Sequence, residues 1–253
     1  MSKKKNQTIT LRQVIGVGLS LMFILTIWGA NRWANYRRTF RVNTVDINGY
    51  EILGNNDYND MLSHFDIKSI HSVNLRDIAT AIETNPFVKA ARVSRHFPDR
   101  IKINIIERKP LAILNMNPFL MIDGEAVTLP DHTYSQSALI PILSGFNPAK
   151  DLYPEGEQTF SIKVKEAVDI LNKLSLGYPK LYENISELTL NKDDEYVIIL
   201  ADRPTRVILG KDDIITKLNI LKNFDKALGQ RQLTDYRLLD MRYKKQLVAR
   251  EWS

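Results

Sequence analysis

The sequence predicts an α+β protein that has one membrane-spanning helix and carries most of its mass outside the membrane. Three observations support this prediction. Residues 13–31 are uncharged and mostly apolar, residues 42–109 follow a β-α-α-β-β pattern, and residues 110–253 combine short strands with two helices. The chain of 253 residues leaves enough length after the span for one or two domains with hydrophobic cores.

The apolar segment is long enough to cross a bilayer. Residues 13–31 contain no charge, and a transmembrane helix needs about 20 mostly apolar residues. A cleaved signal peptide has an apolar core of about 7–15 residues followed by small residues, whereas this segment ends in Trp28, Arg32 and Trp33. An uncleaved anchor is therefore favoured over a signal peptide. A buried core helix is disfavoured because the segment has no polar face.

The positive charge of the chain is concentrated around this span. Residues 1–41 hold eight Lys or Arg and no acid, whereas the remainder holds 27 bases and 29 acids. The folded part therefore has no basic surplus, so we predict no nucleic-acid binding, and the basic flanks suit membrane lipid headgroups. Four basic residues lie on each side of the span, so charge alone leaves its orientation open. The short tail and the large trailing domain favour a cytoplasmic N-terminus.

Residues 42–109 show the pattern of one small α+β domain. Alternating Ile101, Ile103 and Ile105 indicate a half-buried strand, and Asn74 is a candidate N-cap for a helix with one apolar face. The predicted elements are a strand at 40–48, helices at 57–65 and 74–84, and strands at 88–95 and 100–108.

Residues 110–253 predict a mixed β-domain with two helices. A stretch of loops that contains several Pro and Gly residues separates the first strands of this domain from its first helix. The predicted strands cover 112–116, 119–122, 185–190, 196–200 and 205–209, the helices cover 161–176 and 213–228, and a terminal hairpin covers 236–243 and 247–252.

No local motif predicts catalysis, a cofactor or a metal. The chain contains no Cys, and His64, His71, His96 and His132 fall in separate elements without partners at metal-ligand spacing. Neither a G-x-S-x-G elbow nor a phosphate-binding loop is present in the sequence. Catalytic residues dispersed along the chain stay possible at this point, because a triad need not be local in sequence.

Five short motifs in a fixed order resemble the FtsQ/DivIB family of bacterial cell-division proteins. They are NPFVKAARVSRHFPDRIKINIIERKP at 85–110, FLMIDG at 119–124, LIPILSG at 139–145, LG at 209–210 with KL at 217–218, and LDMRY at 239–243. The resemblance implies a cytoplasmic basic tail at 1–12, a transmembrane helix at 13–31 and a basic juxtamembrane linker at 32–41. A POTRA domain at 42–109 and a β-domain at 110–253 would follow, both periplasmic.

The same resemblance implies a non-enzymatic scaffold of the inner membrane at the division septum. Such a protein links early and late division proteins, binds FtsB and FtsL through its C-terminal strand, and controls septal peptidoglycan synthesis. Other divisome proteins would be contacted through the POTRA domain and the transmembrane helix. Carried over by motif, the partner-binding residues are Tyr243, Lys245, Gln246, Leu247, Val248, Ala249, Arg250 and Trp252.

A physical argument supports the terminal strand as the binding site. No strand follows residues 247–252 before Ser253, so we expect an edge whose free N–H and C=O groups can accept a partner strand. Lys244, Lys245 and Arg250 depart from the family pattern and predict acidic partner residues, whereas the family's basic residue on an adjacent strand is not evident near Asp194-Glu195.

Three alternatives stay open from the sequence. The terminal strand could merely close its own sheet, with Trp252 in the core. The protein could be a membrane-tethered envelope enzyme, which would need a convergent polar constellation in the β-domain. It could also be a POTRA component of a secretion or outer-membrane assembly pathway, although a single POTRA copy without a barrel pattern disfavours this.

Overall fold

The computed structural model describes residues 11–36, 41–71, 73–131, 139–243 and 246–252. Within these ranges the protein has six α-helices and twelve β-strands. The α+β class is confirmed: one apolar helix precedes a small three-stranded sheet, and a large nine-stranded sheet follows.

Helix α1 (Leu11–Tyr36) contains the apolar segment. Its stretch Val14–Trp33 is the one helix in the described ranges that is long and apolar enough to cross a membrane. The side chains of this stretch are exposed, so no soluble core covers them. Near its end the Arg32 guanidinium lies 5.4 Å from the centre of the Trp28 ring, a pairing of the residue types that are typical of membrane interfaces.

The first folded unit has the predicted β-α-α-β-β order. Its elements are β1 (Thr44–Asn48), α2 (Asn55–Ser63), α3 (Leu75–Glu83), β2 (Val88–His96) and β3 (Arg100–Glu107). The sheet order is β1-β3-β2, with β1 parallel and β2 antiparallel to the central β3.

Local chemistry explains these elements. The Asn74 side chain accepts a hydrogen bond from the Arg76 N–H at 3.1 Å, and this N-cap begins α3. On β3 the three alternating isoleucines are buried against the two helices, because successive strand residues point to opposite faces. The fully buried Tyr58 of α2 and Ile78 and Ile82 of α3 complete this core.

The second unit is built on one mixed sheet in the order β12-β11-β10-β9-β8-β7-β4-β5-β6. Helices α4 and α6 pack on one face and form the second core with that face. The elements are β4 (Pro110–Leu114), β5 (Leu120–Asp123), β6 (Thr128–Leu129), β7 (Ile142–Ser144), α4 (Ile162–Gly177), α5 (Pro179–Glu183), β8 (Ile185–Leu190), β9 (Tyr196–Leu200), β10 (Arg206–Gly210), α6 (Ile214–Ala227), β11 (Tyr236–Asp240) and β12 (Val248–Glu251).

The structure corrects the sequence analysis in three places. A third, five-residue helix, α5, begins at Pro179, a residue that suits the first helical turn. The loop-rich stretch contains the short strands β6 and β7. The strand predicted at 236–243 ends at Asp240, and β12 is four residues long.

Candidate partner-binding edge

Strand β12 forms one end of the nine-stranded sheet. It pairs antiparallel with β11, with Leu238 opposite Arg250, Leu239 opposite Ala249 and Asp240 opposite Val248. On its other side no strand of the described chain is paired with it. All four residues of β12 are exposed, so its outward N–H and C=O groups form a free ladder.

The opposite end of the same sheet is covered by the protein's own chain. The Thr128 N–H donates to the Glu157 carbonyl at 2.9 Å, and the Gly156 N–H donates to the Thr128 carbonyl at 2.8 Å. Both residues of β6 are fully buried. The fold therefore protects one edge of the sheet and leaves the other open.

Three contacts hold β12 against its own sheet. Leu247 is half-buried and packs against the core under the helices. The Trp252 indole N–H donates to the Thr234 carbonyl at 3.1 Å, and Glu251 forms an exposed ion pair with Arg231 at 2.7 Å. Trp252 keeps 37% of its surface exposed, so the alternative that places it in the core is wrong.

A charged contact between Asp240 and Arg242 lies where the chain leaves β11, and it is termed the Asp240–Arg242 clamp. Asp240 accepts hydrogen bonds from the backbone N–H of Arg242 at 3.0 Å and from its guanidinium at 2.7 Å. Glu195 lies 3.5 Å from the same guanidinium. The hydrogen bonds from Arg242 hold the pKa of the Asp240 carboxyl below its ordinary value, against the opposing effect of burial. Asp240 therefore stays charged and fixes the start of the β11–β12 connection.

The face of the sheet opposite the helices carries two pockets beside β12 that share Ile208 and Leu238 and are together termed the groove. Half-buried Ile208 and Leu238 form its floor, and its rim includes polar and aromatic side chains from β10 to β12. The lining residues at the rim are Pro204, Arg206, Arg237, Asp240, Arg242, Tyr243, Gln246, Val248, Arg250 and Trp252. A strand added to β12 would therefore extend a surface that already combines apolar and cationic groups.

The structure brings most of the residues predicted from the sequence to this edge. Tyr243 is 55% exposed, Val248 is 40% exposed, and Gln246, Ala249 and Arg250 are also exposed. Leu247 is the exception, because its half-buried side chain packs against the core of the nine-stranded unit. Lys245, together with Lys244, lies outside the described residues.

Sequence reasoning missed the groove residues on β10 and β11. Leu238 of β11 lies opposite Arg206 of β10 on one side and opposite Arg250 of β12 on the other. The two arginines therefore flank Leu238 on neighbouring strands. The alternation of Arg206, Val207 and Ile208 was a signal for an outward Arg206. Its position beside β12 depends on strand order, which the sequence does not encode locally.

The buried acids are all engaged within the fold. Glu107, Asp123 and Asp240 each accept two or more hydrogen bonds from protein groups. Across the described ranges, no group of three His, Cys, Asp or Glu side chains is arranged to hold a metal ion. The chemical feature that distinguishes the β12 edge is its row of unpaired backbone N–H and C=O groups.

The fold and the edge together define a class of protein. Its members combine one apolar N-terminal helix, a β-α-α-β-β domain and a sheet domain that ends in an exposed strand. Comparison with known families identifies the chain within this class. The family model described as the POTRA domain of FtsQ type matches residues 40–108, and the model described as FtsQ/DivIB, C-terminal related, matches residues 109–250. The chain belongs to the FtsQ/DivIB family.

Individual relatives agree with this assignment. The chain is similar to the cell division protein FtsQ of Syntrophotalea carbinolica, with 27% identity over 66% of this chain and 59% of the relative. It is also similar to FtsQ of Geotalea daltonii, with 22% identity over 84% and 76% of the two chains. FtsQ of Koribacter versatilis shares 22% identity over 98% of this chain and 70% of its own length.

Family membership supports a divisome role for the chain. The family is a non-enzymatic one. Together with α1, the relatives suggest a membrane-anchored division protein.

Proposed function

We propose that this protein is a non-enzymatic divisome scaffold that binds an FtsB/FtsL subcomplex by adding a partner strand to β12. In this proposal α1 crosses the inner membrane with residues 1–12 in the cytoplasm. The POTRA domain at 42–109 and the β-domain at 110–253 are then periplasmic at the division septum. Through these contacts the scaffold links early and late division proteins and controls septal peptidoglycan synthesis.

The free ladder of β12 is the observation that carries the proposal. An exposed edge strand offers unpaired N–H and C=O groups to a partner strand, and proteins often cover such an edge with their own chain. Here the opposite edge is covered by residues 155–159, whereas β12 is exposed along its whole length. Strand addition would satisfy the free backbone groups and use side-chain pockets for specificity.

The charges beside the edge favour an acidic partner segment. Arg206 and Arg250 line the groove and are exposed. Asp240 faces the same groove, but Arg242 neutralises it. A partner strand with Asp or Glu opposite Arg250 would therefore gain charge-assisted hydrogen bonds as well as ladder bonds.

Proline substitution tests the ladder directly. The Met241 N–H donates to the Ile208 carbonyl of β10, so alternate residues of β11, Leu238 and Asp240, direct their backbone groups to β12. Their partners Arg250 and Val248 point back to β11, and the Ala249 N–H points outward. We expect the Ala249→Pro variant to lose co-purification with FtsB/FtsL while its fold persists, because Pro has no N–H and disrupts strand addition. Val248→Pro is made in parallel, and it removes an N–H that faces β11 instead.

The measurement is capture of FtsB/FtsL by the full chain in detergent, with thermal unfolding recorded for each variant. Ala249→Ser and Val248→Thr are the matched controls, since each keeps the N–H and a side chain of similar size and should bind as the unchanged protein does. Wild-type capture by both proline variants would contradict strand addition at β12.

A further inference from the structure

We propose that the tip of the β2–β3 hairpin is a second membrane contact, in which Phe97 enters the headgroup region of the bilayer that α1 spans. This inference rests on the proposed function, because it takes α1 to be a membrane anchor. It adds an interaction surface on the POTRA domain whose partner is the lipid surface itself.

The chain enters the POTRA domain at this tip. Strand β1 runs parallel to β3, and Thr44 lies beside Arg100, the first residue of β3. Just before it, the Asn43 N–H donates to the Asp99 carbonyl at 2.9 Å, and the Asn43 side-chain amide donates to the Asp99 carboxylate at 2.9 Å. The entry of the domain is therefore fastened to the turn that carries Phe97.

The connection to the anchor is short. Five peptide steps separate Tyr36, the last residue of α1, from Arg41, which already bridges to Ser69 of the POTRA domain. A fully extended chain spans at most about 3.6 Å per residue, so these two Cα atoms are at most about 18 Å apart. The apolar stretch of α1 ends at Trp33, so the tip stays within reach of the membrane interface.

The side chains at the tip suit that location. Phe97 is 61% exposed, although its ring centre lies 5.6 Å from that of His71. A single exposed aromatic residue is ordinary on a soluble surface, but this one lies at the end of the domain that the anchor holds near the bilayer. Aromatic rings are favoured at the interface between headgroups and acyl chains.

The charge balance at the tip is compatible with an anionic surface. The bases are Arg41, Lys68, Arg95 and Arg100, and the acids are Asp46, Asp66 and Asp99. Lys68 pairs with Asp66 at 2.9 Å and Arg100 lies 3.9 Å from Asp46, so neither acid stands alone. Arg32, Arg37 and Arg38 add basic charge on the anchor side, and basic clusters beside a span attract anionic lipids.

A second contact would fix the tilt of the POTRA domain. A single attachment point does not by itself fix how a domain is rotated about its anchor, whereas an additional interfacial residue selects one orientation. The β12 edge, which belongs to the same folded chain, would then be presented at a defined angle to the membrane.

The absence of cysteine from the chain allows a clean test. His96→Cys places a unique thiol beside Phe97, and it is labelled with an environment-sensitive fluorophore in the full chain. The labelled protein is reconstituted into phosphatidylethanolamine/phosphatidylglycerol vesicles that contain nitroxide-headgroup lipid. Leu176→Cys, an exposed site on α4, is the matched distant control, and Ile24→Cys with acyl-chain nitroxide lipid reports on the anchor.

We expect strong quenching and a blue shift for the label at residue 96 and neither at residue 176. Adding Phe97→Ser should remove most of the quenching at residue 96, while Phe97→Trp should keep it, because Trp is also favoured at the interface. An unquenched label at residue 96, with a quenched label at residue 24, would overturn the membrane contact and leave the anchor intact. An unquenched label at residue 24 would overturn the anchor itself, and the proposed topology with it.

Discussion

Glu107 fastens the loop after β1 to the end of the central strand of the POTRA domain. The carboxylate is buried and accepts four hydrogen bonds, from the N–H groups of Glu51 and Ile52 at 2.6 Å, that of Leu53 at 3.1 Å, and the Tyr58 hydroxyl at 2.6 Å. Burial and then the bond to Glu107 raise the pKa of the Tyr58 hydroxyl. Tyr58 therefore stays a proton donor at neutral pH, and Glu107 has a structural role.

We expect Glu107→Gln to lower the free energy of unfolding by about 2–3 kcal/mol, because an amide replaces one acceptor oxygen with a donor that faces N–H groups. Tyr58→Phe removes one of the four bonds and should cost about 1–2 kcal/mol. Urea unfolding of the chain in detergent micelles measures both values. A Glu107→Gln variant as stable as the unchanged protein would contradict this role.

Residues with local partners could be predicted, and those with distant partners could not. Asn74 is an N-cap as the sequence indicated, because its side chain accepts a hydrogen bond from a backbone N–H two residues ahead. Ser161, the predicted first residue of its helix, is an N-cap whose side chain accepts from the Val164 N–H. Glu107 stands in the family-like motif at 85–110, but its partners lie 49 to 56 residues earlier in the chain. Only the folded sheet brings those groups together.

At the scale of elements, the β11–β12 hairpin depends on the Asp240–Arg242 clamp. Asp240 closes β11, and the chain must turn through residues 241–247 to return as β12. The clamp binds both the backbone and the side chain of Arg242, which fixes the direction in which the chain departs. The geometry of the candidate edge therefore depends on a charge that is not itself on β12.

This dependence predicts a pH signature for Asp240→Asn. Because Arg242 lowers the pKa of the folded-state carboxyl, the charge stabilises the fold above the unfolded pKa of about 3.9. That stabilisation is lost as the pH falls through the folded pKa. Asp240→Asn should therefore cost about 1–2 kcal/mol at neutral pH, and the difference from the unchanged protein should shrink in acid.

Urea unfolding at a series of pH values measures this difference. The free energies of unfolding of Asp240→Asn and the unchanged protein are compared at each pH. If their difference stayed constant from about pH 7 to about pH 2, the charge of the Asp240 carboxylate would not stabilise the hairpin. Asp235→Asn, at the start of the same hairpin, serves as a control that leaves the Asp240–Arg242 contacts unchanged.

The elements themselves show where sequence patterns end. Long helices and alternating strands were predicted to within a few residues, because periodicity and caps define them locally. Strands β6 and β7 have two and three residues, too few for any period. Strand β7 lies parallel to both β4 and β8, so its existence depends on pairings that only the complete sheet supplies.

At the scale of the whole molecule, the two sheets share a core at their junction. Met121, Val127 and Leu129 of the nine-stranded unit are buried in the cluster that contains the POTRA isoleucines. Arg108 donates to Asp123 at 2.7 Å and to Glu125 at 3.0 Å across the same junction. The β2–β3 tip and the β12 edge thus belong to units that are joined by packing and by a charge network.

The Arg108–Asp123 pair is largely desolvated, since the side chains are 16% and 5% exposed. Replacing Arg108 with Met keeps much of the apolar stem but leaves Asp123 buried without its cation. Breaking a buried pair in this way typically costs about 3–5 kcal/mol, so we expect a loss of about 3 kcal/mol for Arg108→Met. Hydrogen exchange should rise on both sides of the junction, in β3 and in residues 121–129, because the two units then open more independently.

Lys89→Met is the matched control for this prediction. Lys89 contacts Glu125 at 2.7 Å on the same side of the network, but both side chains are about half exposed, and exposed ion pairs contribute little to stability. The control should therefore unfold like the unchanged protein. If Arg108→Met also did so, or if faster exchange were confined to one side of the junction, the joint would not couple the POTRA domain to the sheet. An orientation set at the membrane could then not be passed to the β12 edge.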